Sequence, residues 1–102
     1  MPERPYSTTV FRDAARALAA TGQRIYANGW SPATSSNYSQ RLNTDFAAIT
    51  QSGKDKGLLR ETDIMAVNMD GQPASSGKPS AETLLHTQLY RFYGNIQAVL
   101  HT

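Results

Sequence analysis

The chain has 102 residues, of which 39% are hydrophobic and 18% charged, which suits one small domain with a modest core. Its net charge of +2 and its scattered basic residues do not indicate a nucleic-acid-binding surface. Without cysteine it can form neither disulfides nor thiolate metal sites. Because no apolar run approaches a membrane span and the N-terminal segment lacks the apolar stretch of a secretory signal, we expect a cytoplasmic protein that binds no membrane.

The first predicted element is a helix within residues 7–30. Apolar and small residues recur there at spacings of three and four, so they form one stripe that can face a core. Ser7, or one of the two threonines after it, can cap the start, and Asn28-Gly29 suits a left-handed stop. The stripe comprises Phe11, Ala14, Ala15, Leu18, Gly22, Ile25 and Tyr26.

A hairpin follows, with predicted strands at 38–42 and 46–50 joined by the turn-forming stretch "NTD". The stretch "LLRETD" can hold one helical turn. A third strand is predicted at 64–69, where the turn signal Asp70-Gly71 ends it.

A second helix is predicted from the N-cap candidate Ser80 to the stop signal Gly94. The stretch "IQAVLH" then predicts a short buried strand. The order helix, hairpin, strand, helix, strand indicates a mixed α/β sheet. The predicted apolar face of the second helix comprises Leu84, Leu85, Leu89, Phe92 and Tyr93.

Three side chains near the C-terminus can carry chemistry. His101 ends a predicted strand, where a second histidine two positions later would lie on the same face and complete a metal-binding pair. Glu82 is either a favourable charge at a helix N-terminus or a general acid/base. His86 follows on the same helix face as Glu82 and is interpreted as a surface pair with it rather than as a metal ligand.

Two loops can bind an anion. In "TQSGKDKG" Gly53 permits close backbone approach, Ser52 supplies a hydroxyl and Lys54 supplies charge, although the Walker spacing is absent. "ATSSN" offers hydroxyls and the Asn37 amide. Taken alone, either loop is more typical of an ordinary solvated turn than of an anion site.

Taken in order, "GWSPATSSNYS", "ITQSGKDKG", "KPSAETLLHTQLY" and "AVLHT" resemble the N-terminal half of the methylthioribulose-1-phosphate dehydratases, a branch of the class II aldolase/adducin superfamily. The resemblance runs from about Gly29 to Thr102. It implies an α/β fold, namely a three-layer α/β/α domain with a central mixed, mostly antiparallel sheet, of which residues 1–102 are the N-terminal part, truncated after about half.

The resemblance also implies roles for particular residues. Glu82 matches the catalytic carboxylate, and His101 matches the first zinc ligand of a His-x-His pair. Substrate phosphate would be bound by three loops, with Lys54 as an extra contact. The residues of these loops are Ser36 and Asn37, then Ser52 and Gly53, then Ser80 and Ala81.

The implied function is zinc-dependent dehydration of 5-methylthioribulose 1-phosphate in methionine salvage by a homotetramer. Family members carry a second histidine after the position of Thr102 and a third much later, whereas this chain has two histidines in all. A catalytic zinc takes about three protein ligands, so we expect the chain to be an incomplete, inactive fragment. The alternatives are a sugar-phosphate class II aldolase and a non-catalytic, adducin-like interaction module.

Overall fold

The computed structural model describes a helix, a hairpin, a strand, a second helix and a final strand, in the predicted order. The residues described are 6–29, 37–53, 58–80 and 82–101. The helices are α1 (Thr8–Ala27) and α2 (Thr83–Phe92), and the strands are β1 (Asn37–Arg41), β2 (Phe46–Thr50), β3 (Ile64–Asn68) and β4 (Ala98–His101).

The four strands form one sheet in the order β3-β2-β1-β4, and every pairing among the described strands is antiparallel. The helices cover opposite faces of this sheet, since each helix shares a hydrophobic cluster with a different set of strand residues. The predicted three-layer α/β/α architecture is therefore confirmed. The α1 cluster includes Ala14, Leu18, Tyr38, Ala48 and Ile64, and the α2 cluster includes Ala47, Ile49, Met65, Val67 and Tyr90.

Helix α1 starts and stops where its sequence predicts. The Ser7 hydroxyl accepts a hydrogen bond from the Val10 amide at 3.3 Å, and Gly29 adopts a left-handed φ of +75°. The predicted stripe is buried except at its ends, because Phe11 is half-buried and Tyr26 is exposed. Gly22 lets the helix approach closely, since a Cβ there would lie 2.9 Å from Leu59 Cδ2.

The hairpin between β1 and β2 is closed by Asn43, whose side-chain oxygen accepts from the amides of Asp45 and Phe46, both at 2.9 Å. A short side chain that bonds its own backbone favours a turn over a longer strand. The turn predicted from "NTD" is therefore confirmed.

Helix α2 departs from the prediction in both its start and its orientation. It begins at Thr83, and Ser80 lies before it, with its hydroxyl accepting from the Glu82 amide at 2.9 Å. The predicted apolar face is wrong, since most of it is exposed, as at Phe92. The side chains that α2 buries against the sheet are instead Thr83, His86, Thr87 and Tyr90.

Strand β4 forms as predicted, but it is largely exposed rather than buried. It lies at one end of the strand order, where β1 is its one neighbour among the described strands. Arg41 of β1 braces the connection from α2 to β4, because its guanidinium donates to the Tyr90 carbonyl at 2.7 Å and to the Ile96 carbonyl at 2.9 Å. A cation bonded to carbonyls at the end of a helix also complements the helix dipole.

Candidate functional site

Glu82 and His101 are brought together at one end of the sheet. Glu82 stands immediately before α2 and His101 is the last residue of β4. The Glu82 carboxylate Oε2 contacts His101 Nδ1 directly. Both side chains stay open to solvent, with 38% of Glu82 and 45% of His101 exposed, so the pair can also meet a ligand.

Ser80 lies close to Glu82, and Ser52 lies on the loop beside the segment that leads to Ser80. The Ser80 hydroxyl accepts from the Glu82 amide, and the Ser52 amide donates to the carbonyl of Lys78 at 2.9 Å. Gly53 follows with an exposed backbone and a φ of +76°, in the left-handed region that glycine adopts without strain. The loop after β2 and the loop before α2 therefore lie side by side, as an anion-binding surface requires.

Asn37, the first residue of the neighbouring strand β1, also lies beside this pair. It pairs with His101 across β1 and β4, so the two side chains project from the same face of the sheet. Asn37 is 5% exposed, and its side-chain oxygen has no hydrogen-bond partner among the described residues. Of the predicted phosphate contacts, Ser36, Lys54 and Ala81 lie outside the described residues.

His86 does not form the surface pair that the sequence predicts, because it is completely buried. Its Nδ1 lies 2.6 Å from the Ser39 hydroxyl, which lies 2.7 Å from the Tyr90 hydroxyl. The pKa of His86 is lowered from its ordinary 6.5 to about 4, mainly by burial and also by the charge of His101, while Glu82 partly opposes the shift. His86 is therefore neutral at neutral pH.

The buried cluster of Ser39, His86 and Tyr90 was not predicted from the sequence, although a signal for it exists. Thr83, His86, Thr87 and Tyr90 recur at spacings of three and four, which is the spacing of residues on one helix face. The apolar residues beside them follow the same rhythm and are the more usual choice for the buried face. Hydrophobicity alone therefore selects the wrong side of α2.

Acid should destabilise the fold through His86. Its pKa is about 4 in the folded chain against an ordinary 6.5, so the unfolded chain takes up the proton first as the pH falls. The stability that the fold has while His86 is neutral is complete above pH 6.5 and is lost between pH 6.5 and about 4. The loss amounts to about 3 kcal/mol at most. Urea unfolding of the wild type and of His86→Leu across this range measures it.

The matched control is Thr87→Val, which alters a side chain of α2 that is as buried as His86 but does not titrate, and which should keep the steep pH dependence of the wild type. Carboxylates contribute the same background to all three proteins, so the difference between variants isolates His86. Equal pH slopes for the wild type and His86→Leu would show that His86 titrates normally in the folded chain.

A cavity of about 570 Å³ lies elsewhere, on the α1 side of the sheet, where its lining includes Phe11, Arg12, Glu61 and Ser75. None of the predicted site residues that the structure describes lines this cavity. The candidate site at Glu82 and His101 is thus an open surface separate from the cavity. Within residues 6–29, 37–53, 58–80 and 82–101, no helix is long and apolar enough to cross a membrane.

Relatives share the sequence over almost the full chain. A protein named methylthioribulose-1-phosphate dehydratase from Alcanivorax borkumensis is 98% identical over 102 residues, covering all of this chain and 48% of that protein. One of the same name from Xanthomonas campestris is 54% identical over 99 residues, covering 96% of this chain and 46% of its own length. The chain spans about half the length of the curated relatives it matches.

The fold is shared with solved structures as well. YgbL from Escherichia coli superposes with a TM-score of 0.84 at 27% identity, covering 90% of this chain and 44% of that one. The sequence profile of the class II aldolase and adducin N-terminal domain matches residues 16–102. Because this match covers most of the chain, including the Glu82–His101 pair, the chain belongs to the class II aldolase and adducin N-terminal domain family.

Proposed function

We propose that the chain forms the N-terminal part of a single-domain, zinc-dependent methylthioribulose-1-phosphate dehydratase. The contact between Glu82 and His101 carries the proposal, because it puts a carboxylate and an imidazole side by side at an open end of the sheet. Support comes from the 98% identical relative of that name. A homotetramer is part of the proposal, in line with the oligomeric character of the family.

The described residues fit a zinc site in part. His101 offers an imidazole at a strand end, half-exposed and beside a carboxylate. A catalytic zinc takes about three protein ligands and one open position, and no group of three His, Cys, Asp or Glu comes together within the described ranges. His101 would therefore be one ligand among several. When bound, the ion stabilises negative charge that develops on substrate oxygens.

Glu82 would move the proton that dehydration requires. Loss of water from a ketose 1-phosphate to give a 2,3-diketone phosphate takes a proton from the carbon next to a carbonyl and releases a hydroxyl group as water. A carboxylate within reach of the substrate can accept that proton or deliver one to the leaving hydroxyl. Glu82 suits this role because its side chain is partly exposed and, among the described residues, the side chain it contacts is that of His101.

The loops beside Glu82 would hold the substrate phosphate. Ser52, Gly53 and Ser80 lie on adjacent loops, and Asn37 lies beside His101 on the neighbouring strand, on the same face of the sheet. Ser36, Lys54 and Ala81 are proposed for the same role from the resemblance. Binding a group remote from the reacting carbons positions those carbons and lowers the barrier without touching them.

The test uses the full-length Alcanivorax borkumensis relative. We expect it to release water from 5-methylthioribulose 1-phosphate, to lose activity when a chelator removes its metal, and to regain it with Zn²⁺. Fuculose 1-phosphate serves as the control substrate. Cleavage of a carbon–carbon bond in fuculose 1-phosphate, without dehydration of 5-methylthioribulose 1-phosphate, would assign an aldolase activity instead. Activity on neither substrate would leave an interaction module as the better assignment.

A further inference from the structure

The contact between α2 and the sheet near Glu82 is polar where an apolar one is usual. Leu84 and Leu85 lie on the exposed side of the helix, and Thr83, His86 and Thr87 lie against the strands. Buried polar groups cost free energy unless they are hydrogen-bonded, so burial alone does not explain this choice. Hydrogen bonds are directional whereas apolar contacts are not, so a buried network specifies one arrangement of the elements that it joins.

The network joins α2, which Glu82 immediately precedes, to β1, the strand that pairs with β4 and its last residue His101. His86 belongs to α2, and its amide donates to the Glu82 carbonyl at 3.4 Å. Ser39 belongs to β1, where it pairs with Val99, two residues before His101 in β4. The hydrogen bonds between His86 and Ser39 and between Ser39 and Tyr90 therefore cross the interface between α2 and the sheet. The packing at this interface sets the distance between Glu82 and His101.

We infer that His86 is a positioning residue: held by Ser39 and Tyr90, it fixes α2 on the sheet so that the Glu82 carboxylate stays against His101. The network is free of net charge at neutral pH, because burial keeps His86 neutral, so it does not compete with His101 for Glu82. His86 Nε2 and Thr83 Oγ1 are buried without partners among the described residues, which leaves the bond to Ser39 as the described anchor of the imidazole. The kinetic consequence of this inference rests on the proposed function, whereas the positioning role itself does not.

The kinetic experiment compares Ser39→Ala, His86→Leu and His86→Asn in the full-length relative. We expect Ser39→Ala and His86→Leu to lower kcat about 10- to 100-fold with a much smaller change in KM, as loss of a residue supporting a catalytic group does. His86→Asn keeps an amide near the position of Nδ1 that can still bond Ser39, so it should retain more turnover than His86→Leu.

Thr87→Val is the matched control. Thr87 is as buried as His86 and lies on the same face of α2, but its hydroxyl donates to the Leu84 carbonyl of its own helix at 3.2 Å. Its kcat should stay close to that of the wild type. A kcat for Ser39→Ala equal to that of Thr87→Val, or equal losses in His86→Asn and His86→Leu, would overturn the inference.

A second measurement does not depend on activity. In the wild type the contact should give a nuclear Overhauser effect between the Glu82 side chain and the His101 ring. We expect it to vanish in Ser39→Ala and in the milder Tyr90→Phe and to persist in Thr87→Val. Persistence in all three would refute the positioning role whatever the enzyme does. A wild type that keeps this signal but dehydrates nothing would count against the proposed function alone.

Discussion

Replacing Glu82 by glutamine in the full-length relative should lower turnover about 10²- to 10⁴-fold, the usual contribution of a general acid/base. Glutamine keeps the length of the side chain and an oxygen that can meet His101, but it does not take up or release a proton near neutral pH. Substrate and Zn²⁺ binding should therefore persist. Steady-state kinetics, with zinc content measured on the same samples, separates these effects.

Glu61→Gln is the matched control for this change. Glu61 is an exposed carboxylate on the α1 side of the sheet, paired with Arg16 at 3.0 Å, so the same loss of charge occurs away from the site. Its turnover should match that of the wild type. If Glu82→Gln also turned over at the wild-type rate, Glu82 would have no part in proton transfer.

The elements of this fold can be predicted from the sequence because their ends are set locally. Ser7 bonds an amide three residues on, and Asn43 bonds amides two and three residues on. Each of these contacts spans a few residues, so the type of side chain and its place in the pattern are enough to predict it. The central strands β2 and β3 are mostly apolar runs of five residues that are buried along nearly their whole length, and a short apolar run bounded by turn signals also predicts a strand.

The orientation of α2 could not be predicted because it depends on partners distant in sequence. His86 bonds Ser39, 47 residues away, and Tyr90 bonds the same hydroxyl across 51 residues. The sequence pattern does not show the contact with Ser39, so Leu84 and Leu85, on the more hydrophobic side of the helix, are assigned to the core. Helix propensity and amphipathic pattern locate a helix, whereas its rotation follows from tertiary contacts.

The candidate site lies between these two cases. The resemblance identifies Glu82 and His101 as site residues, but no local rule places residues 19 apart in contact. Their proximity follows from topology: β4 returns beside β1 and ends where α2 begins. A sequence pattern therefore gives the members of such a pair, and the strand order determines that they meet.

On the α1 side of the sheet, the stability of the core depends strongly on the side chain of Leu59. Leu59→Ala should lower the free energy of unfolding by about 2–5 kcal/mol. Leu59 is fully buried, and its side chain and that of Tyr38 both lie against Gly22. Because Gly22 has no side chain that can move into the space, the cavity left by the truncation should stay open, which places the loss towards the upper end of the range. Urea unfolding followed by circular dichroism measures it.

Leu58→Ala supplies the control, since it makes the identical chemical change one residue earlier, at a side chain that is 75% exposed. It should change stability by about 0.5 kcal/mol or less. Leu59→Met keeps the volume and should cost less than about 1.5 kcal/mol, so a measurable variant remains even if Leu59→Ala does not fold. Equal losses in Leu58→Ala and Leu59→Ala would mean that Leu59 does not fill the space between α1 and the sheet, and the close approach at Gly22 would then need another explanation.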